Sequence, residues 1–140
     1  MKIKKIIGRL DKVDLPDFGV EDIHAKIDTG AYRSSLHCKK VRLEGDVLKF
    51  QIKTETGYRE FESRSWTKKT IKSSNGKAED RFVIKTRMRI FGKNYVTSFS
   101  LTDRSEMQNP MLIGTKMLKN RFLVDVSQKN LSFAQKMSSK

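Results

Sequence analysis

The sequence predicts a mostly β domain: a small closed, or nearly closed, barrel with one short helix late in the chain. Three observations lead to this prediction. Apolar and polar residues alternate in several segments, as they do in strands that bury one face. Turn sequences rich in glycine, asparagine and charged residues separate these segments. A single stretch near the C-terminal end has the composition of a helix.

The clearest strand signals are three alternating runs. Residues 20–27 (VEDIHAKI), 47–53 (VLKFQIK) and 81–90 (RFVIKTRMRI) place apolar side chains at alternate positions. One face of each strand is therefore expected to be buried. Turns are predicted at residues 44–46, 55–58, 73–78 and 91–94. The Asn75-Gly76 pair is the strongest hairpin signal among them.

The C-terminal part of the chain carries the predicted helix. Residues 111–114 (MLIG) indicate a compact buried strand, and residues 115–121 (TKMLKNR) indicate about two helical turns with Thr115 as the N-cap. The segments FLVDV and LSFA are expected to return to strand, and residues 135–140 to fray. A chain of 140 residues suits one core, so we expect one domain over residues 1–140.

The charge is strongly positive and unevenly distributed. The chain has 30 Lys and Arg against 16 Asp and Glu, a net charge of +14. Residues 11–22 hold five acids and one lysine, a local charge of −4, which leaves +18 for the remainder. Such a field attracts polyanions such as RNA, ribosomes or acidic peptides, although a basic surface also serves solubility alone.

Cysteine content and hydropathy indicate the cellular compartment of the protein. Cys38 is the one cysteine, so the chain has no internal disulfide and a reduced intracellular setting is expected. The basic N-terminal residues lack a signal-peptide core. No apolar run approaches the roughly 20 residues of a membrane span. We therefore expect a cytoplasmic protein that makes no membrane contact.

Asp28 is the main candidate functional residue. It ends an alternating run and precedes Thr29 and Gly30 in the segment AKIDTGAYRSSLH. Gly30 would permit close backbone approach in a turn, and the Thr29 hydroxyl could hold that turn by hydrogen bonding. Asp-Thr-Gly is also a good turn sequence. From spacing alone, a structural role is the simpler interpretation and a catalytic role is the alternative.

A second motif favours the catalytic interpretation. The apolar segment PMLIG precedes the predicted helix, and its combination with an apolar-flanked D-T-G-A resembles the retropepsin-like aspartic proteases. More closely, the segments IGRLDKVDLPDFGVEDIHAKIDTGAYRSSLH, SSNGKAEDRFVI, LTDRSEMQNPMLIG and RFLVDVS resemble a bacterial family often labelled ATP-dependent zinc protease, also called RimB. The resemblance covers residues 7–127, nearly the whole chain.

The resemblance implies a closed barrel of the pepsin or retropepsin type with Asp28 as the catalytic aspartate, supported by Thr29 and Gly30. It also implies apolar packing behind the active-site turn by Leu112, Ile113 and Gly114. Retropepsins usually carry Arg after that glycine, where this chain has Thr115, so a weak dimer is expected. Some family members occur beside an enzyme that adds glutamates to a small-subunit ribosomal protein.

The implied activity is an aspartic endopeptidase acting on a peptide or protein. Two carboxylates about 3 Å apart share one proton, so one activates water while the other polarises the carbonyl. One chain supplies one such aspartate, and we therefore expect a homodimer with one Asp28 from each copy. The hairpin tip at Asn75 and Gly76 is the predicted flap. The predicted substrate contacts are Ala31, Asn75, Gly76 and Arg81.

The family label is not supported by cofactor motifs. The chain lacks a phosphate-binding G-x-x-x-x-G-K-[ST] loop, so we predict no ATP site. Zinc needs three or four convergent ligands, whereas His37 and Cys38 would point to opposite faces of a strand. We predict no metal and no other cofactor. His24 is expected to face solvent or the other side of its sheet, and Asp125 to be structural or solvent-facing.

A different class of function is kept as the alternative. In it, the chain is a non-catalytic basic β-barrel that binds RNA or the ribosome, and Asp28 is a buried turn residue. The segments WTKKTIK and IKTRMRIFGKNY interleave cations with Trp66, Phe91 and Tyr95, as nucleic-acid surfaces often do. Neither segment forms a recognisable RNA-binding motif. Two Asp28 carboxylates meeting across a symmetric interface would distinguish the peptidase from this alternative.

Overall fold

A computed structural model describes residues 3–72, 76–103 and 108–140. Within these residues the chain forms twelve strands, two α-helices and a short 3-10 turn at Pro16–Phe18. The strands are β1 (Lys5–Ile7), β2 (Leu10–Leu15), β3 (Val20–Ile27), β4 (Ser34–His37), β5 (Lys39–Glu44), β6 (Val47–Thr54), β7 (Gly57–Ser63), β8 (Trp66–Lys72), β9 (Ala78–Ile90), β10 (Lys93–Thr102), β11 (Met111–Ile113) and β12 (Phe122–Val124). The helices are α1 (Thr115–Leu118) and α2 (Leu131–Ser138).

Six strands close into a barrel, which confirms the predicted fold class. Their order is β10-β4-β11-β3-β2-β9, and β9 pairs again with β10. Strand β8 extends the sheet beyond β9, and β5, β6 and β7 form a separate three-stranded sheet. Strand β11 lies between β3 and β4, parallel to β3 and antiparallel to β4. This pairing brings the segment after residue 110 against the end of β3.

The alternating runs bury one face each, as predicted. The buried side chains include Ile23, Ala25 and Ile27 of β3, Leu48, Phe50 and Ile52 of β6, and Ile84, Met88 and Ile90 of β9. They belong to one core cluster that joins the barrel to the three-stranded sheet. Phe18 contributes to this junction, because its ring meets Phe50 and Phe61 edge-on at 5.6 Å. Burial of these side chains is the main source of stability.

Hairpins occupy the predicted turns at residues 44–46, 55–58 and 91–94, and β8 pairs with β9 on either side of the remaining one. The hairpin between β9 and β10 turns through Phe91 and Gly92, which have φ of +53° and +72°. Two left-handed residues match the right-handed twist of the flanking strands. Residues 73–75 between β8 and β9 lie outside the described residues, and the predicted flap residue Asn75 is one of them.

Two expectations about the C-terminal part are wrong. The segment LSFA begins α2 instead of forming a strand, because the buried Asp11 carboxylate accepts hydrogen bonds from the backbone N–H of Ser132 (2.9 Å) and Phe133 (3.1 Å). A carboxylate at a helix N-terminus satisfies free N–H groups and suits the helix dipole. The chain therefore has two described helices where one was predicted, and the tail expected to fray is helical to Ser138.

Helix α1 is also shorter than predicted. It spans four residues, and its N-cap is Gly114 in extended conformation instead of Thr115. It ends where Lys119 leaves the helical region, and Asn120 follows with a φ of +67°. The left-handed asparagine stops the helix after one turn.

The acidic segment of residues 11–22 is used inside the fold. Lys136 of α2 donates to both Asp14 oxygens at 3.1 Å and to Asp22 Oδ1 at 2.9 Å. Arg87 of β9 donates from Nε to Asp17 Oδ1 at 2.8 Å, and this ion pair lowers the pKa of Asp17 to about 2. The acids therefore attach α2 and β9 to the N-terminal strands. The excess cations remain elsewhere on the surface.

The two ends of the domain are joined by a small parallel sheet. Strand β1 pairs with β12, with Lys5 opposite Phe122 and Ile7 opposite Val124. Neither helix in the described part of the chain is long and apolar enough to cross a membrane.

Candidate active site

Asp28 follows the last residue of β3 and begins a tight turn. Its backbone N–H donates to the Ile113 carbonyl at 2.9 Å, which ties the turn to β11. Its Oδ1 accepts a hydrogen bond of 3.0 Å from the Gly30 N–H, and its carbonyl accepts one of 3.3 Å from Ala31. The half-buried carboxylate is thus held in one orientation by its own turn.

The segment from β11 to α1 holds the turn from behind. The Thr115 N–H donates to the Ala31 carbonyl at 2.8 Å, and the Lys116 N–H donates to the Tyr32 carbonyl at 3.0 Å. A Cβ atom at Gly114 would lie 2.6 Å from the carbonyl oxygens of both Tyr32 and Arg33. Only glycine allows this approach. Ile113 and Gly114 thus lie against the back of the Asp28 turn, whereas Leu112 lines the cleft in front of it.

The structure differs from the roles that the sequence predicted for Thr29 and Gly30 in forming the turn. Within the described part of the chain, the Thr29 hydroxyl has no hydrogen-bond partner. A Cβ at Gly30 would meet only Asp28 Oδ1, at an ordinary contact distance of 3.4 Å, and the φ of Gly30 is outside the left-handed region. Neither residue is therefore required by the turn of a single copy. The space above Gly30 is open.

A cleft of about 600 Å³ lies in front of Asp28. It brings together several predicted site residues: Asp28, Gly30, Ala31, Arg81 and Leu112. Among the described residues that line the cleft, Asp28 is the only carboxylate. Gly76, although described, is not part of the lining.

Several lining residues were not predicted. Thr70, Ile71 and Lys72 reach the cleft from the end of β8 because β8 pairs with β9 next to the predicted flap. Tyr32, Arg33 and Ser35 also line it, in the segment that follows Ala31. Their closeness to Asp28 in the sequence was a usable signal, whereas the approach of β8 depends on tertiary pairing.

The cleft has cationic walls. Arg33 is exposed, Lys72 is exposed, and Arg81 is half-buried with its Nη2 3.0 Å from Glu79 Oε2. An acidic or carboxylate-rich chain would therefore meet favourable electrostatics beside Asp28.

The histidines and the cysteine considered as metal ligands do not come together in a metal site. His37 Nε2 lies 2.9 Å from the Tyr58 hydroxyl, and burial lowers the pKa of this histidine. Cys38 is fully buried, and burial raises the pKa of its thiol. His24 is exposed. Within residues 3–72, 76–103 and 108–140, no group of three or more His, Cys, Asp or Glu side chains is placed to hold a metal ion.

The Asp125 side chain stabilises a turn. Its Oδ1 accepts hydrogen bonds from the Ser127 hydroxyl (2.6 Å) and backbone N–H (3.0 Å), and these bonds lower the pKa of Asp125. This arrangement matches the structural role expected from the sequence.

The aromatic residues of the RNA-binding alternative are engaged in packing. Trp66 donates its indole N–H to the Asp46 carbonyl at 2.9 Å and meets the Phe82 ring edge-on at 5.7 Å. Phe91 is buried, and Tyr95 packs against the core. Trp66 and Tyr95 are half-buried, so all three rings contribute to packing.

The closed barrel, the Asp-Thr-Gly turn and the glycine-dependent support behind it define a retropepsin-like protein. The family described as RimB-like, retropepsin-like aspartic endopeptidase RimB, matches residues 6–135. The chain belongs to this family, as its motifs predicted.

Relatives and a solved structure are consistent with that assignment. A protein named probable alpha-L-glutamate ligase from Shewanella pealeana is 34% identical over 133 residues, which are 89% of this chain and 29% of the relative. One of the same name from Desulfotalea psychrophila is 30% identical over 131 residues, 87% of this chain and 28% of the relative. The chain thus spans under a third of these relatives. A crystal structure of a Legionella pneumophila protein of unknown function (DUF785) has a TM-score of 0.76 at 25% identity, covering 93% of this chain and 99% of that one.

Proposed function

We propose that the protein is an aspartic peptidase whose catalytic dyad consists of Asp28 from each of two copies. The observation that supports this most is the cleft: Asp28 is its only described carboxylate, on a turn fixed by β11 and α1. Peptide hydrolysis by this chemistry needs two carboxylates that share a proton. A second copy is the source of the missing carboxylate.

In this mechanism the two Asp28 side chains have different protonation states. The ionised carboxylate takes a proton from the attacking water, while the protonated one donates a hydrogen bond to the scissile carbonyl. The Gly30 N–H bond to Oδ1 keeps the carboxylate in place during this exchange. The open space above Gly30 allows a peptide backbone, or the partner copy, to approach closely.

The exposed surface around the turn is available to a second copy. Thr29 and Gly30 are exposed, and 62% of Tyr32 is accessible. An unpaired Thr29 hydroxyl in one copy is explained if its partner lies across the dimer. Because Thr115 replaces the usual arginine, we propose a dimer weak enough to dissociate on dilution.

For the substrate we propose a peptide or protein segment rich in carboxylates. The cationic cleft residues Arg33, Lys72 and Arg81 favour such a chain. The relatives' name, glutamate ligase, indicates glutamate-containing chains as the class to try first. The β8–β9 hairpin, including Gly76, is the proposed flap, since Thr70 and Lys72 already line the cleft. A buried free thiol suits a reducing cytoplasmic setting.

The decisive test is Asp28→Asn. The amide keeps the acceptor for the Gly30 N–H but takes no proton from water, so the variant should fold normally and lose cleavage by at least ~100-fold. Wild type and variant are digested with a peptide library that includes glutamate-rich sequences, with circular dichroism as the folding control. Cleavage by wild type should rise more steeply than protein concentration, since single copies are inactive.

A mixing experiment checks the dyad itself. With excess Asp28→Asn, active wild-type dimers are converted into mixed dimers, so activity per wild-type chain should fall. Equal cleavage by the folded Asp28→Asn protein would contradict the proposal. Dimers of the wild type that cleave nothing in the library would instead support a binding-only member of the fold.

A further inference from the structure

A second pocket, of about 250 Å³, lies between the β9–β10 hairpin and α1. Val83 and Lys85 of β9 stand opposite Ser100 and Ser98 of β10, so these side chains share one face of the hairpin. Met117 of α1 covers this face. The pocket is therefore built from three elements that the barrel holds in fixed positions.

Its lining is cationic. None of the described lining residues is an acid, and four of them are basic: Arg33, Lys85, Lys116 and Arg121. Arg33, Lys85 and Lys116 make no side-chain hydrogen bond or ion pair within the described part of the chain. Arg121 donates from Nη1 to the Met117 carbonyl at 2.9 Å, and its guanidinium lies over the Tyr95 ring, 5.5 Å from the centroid, so these two contacts hold it at the pocket. Like charges around one concavity repel one another unless an anion is bound.

We propose that this pocket is an oxyanion-binding site, which takes one carboxylate or phosphate group. Guanidinium groups match the geometry of such oxygens and ammonium groups add charge. Ser98 offers a hydroxyl from the hairpin face, Met117 supplies a buried apolar wall, and Val96 lies at the exposed rim. A concave pocket of this size selects a single anionic group, unlike a broad basic surface that follows a polymer.

The site adjoins the Asp28 cleft but does not depend on its chemistry. Arg33 and Ser100 line both cavities, so a group bound here lies next to whatever occupies the cleft. The oxyanion has two possible sources: an acidic side chain of a peptide in the cleft, or a free small anion. Both require the same cationic lining.

The test measures binding of inorganic phosphate and of glutarate by NMR titration at constant ionic strength. Wild type should show saturable shifts at the amides of Lys85, Ser98 and Lys116. The double variant Lys85→Gln/Lys116→Gln should weaken binding at least tenfold and retain the fold, because neither side chain has a partner to lose. The matched control Lys26→Gln/Lys93→Gln removes the same charge from exposed positions elsewhere and should change binding less than twofold.

Two further measurements distinguish the sources of the oxyanion and separate this proposal from the peptidase proposal. A short glutamate peptide that binds at least tenfold tighter than glutarate, with phosphate competing, identifies the substrate side chain as the source; equal affinities identify a free anion. Asp28→Asn should leave phosphate binding unchanged, so failure of the peptidase proposal does not affect this one. Absence of saturable binding, or equal weakening in the control variant, would overturn the oxyanion site.

Discussion

Replacing Gly114 by alanine should displace the backbone that supports the Asp28 turn. The new Cβ would lie 2.6 Å from the carbonyl oxygens of Tyr32 and Arg33, and an ordinary contact begins at 3.4 Å, so the backbone must move by about 0.8 Å. Such overpacking costs about 1–3 kcal/mol of unfolding free energy. For a chain of this size, that corresponds to a Tm lowered by ~3–12 °C.

The displaced carbonyls lie a few residues after Asp28, and the Tyr32 carbonyl accepts a hydrogen bond from the Lys116 N–H of α1. A misplacement near 1 Å lowers turnover by on the order of 100-fold, so Gly114→Ala should lose activity as well as stability. Gly30→Ala is the matched control. Its Cβ meets nothing closer than 3.4 Å, so Tm should stay within ~2 °C of wild type, whereas peptide cleavage should fall because the methyl group projects into the open cleft.

The assays are thermal unfolding by circular dichroism and cleavage of a glutamate-rich peptide. A wild-type Tm for Gly114→Ala would refute the packing argument. An equal loss of Tm in both variants would show that Gly30 is needed by the isolated turn, contrary to the geometry.

Three further predictions concern the charges of the molecule. Arg87 holds the pKa of Asp17 at about 2, below its ordinary 3.8, so this pair stabilises the fold above pH ~4 and its contribution is lost as pH falls towards 2. Urea unfolding between pH 5 and 2 should show a flatter decline for Asp17→Asn and for Arg87→Gln than for wild type, and identical slopes would contradict the ion pair. The net charge of +14 predicts weak, sequence-independent RNA binding that falls steeply with salt; a filter assay without binding at low ionic strength would be against it. EDTA should leave both Tm and any peptide cleavage unchanged, and stoichiometric zinc by metal analysis would refute this.

Local patterns were sufficient for the strands and turns. Alternation identified β3, β6 and β9, and turn residues such as Gly92 fixed where hairpins reverse. The motif around Asp28 and the one ending at Gly114 are close in space because β11 pairs with β3. That proximity followed from the family resemblance and not from either segment alone.

The errors lie where distant residues decide local structure. LSFA has a strand-like pattern, but Asp11 caps it as a helix from 121 residues away. The cationic pocket was missed for the same reason: Lys85 and Lys116 are ordinary exposed lysines in the sequence, and only the fold places them around one cavity. Single-sequence reasoning has no access to such pairings.

The bonds between Asp11 and α2 also bear on how the chain folds during synthesis. Strand β1 pairs with β12, and the Asp11 carboxylate accepts hydrogen bonds from Ser132 and Phe133. Both N-terminal elements therefore need residues that are synthesised more than a hundred positions later. Contacts of such long sequence separation form late and slowly. A nascent chain that stops before α2 would leave the Asp11 carboxylate without the donors at Ser132 and Phe133. We therefore expect the domain to complete its fold only after Phe133 has left the ribosome.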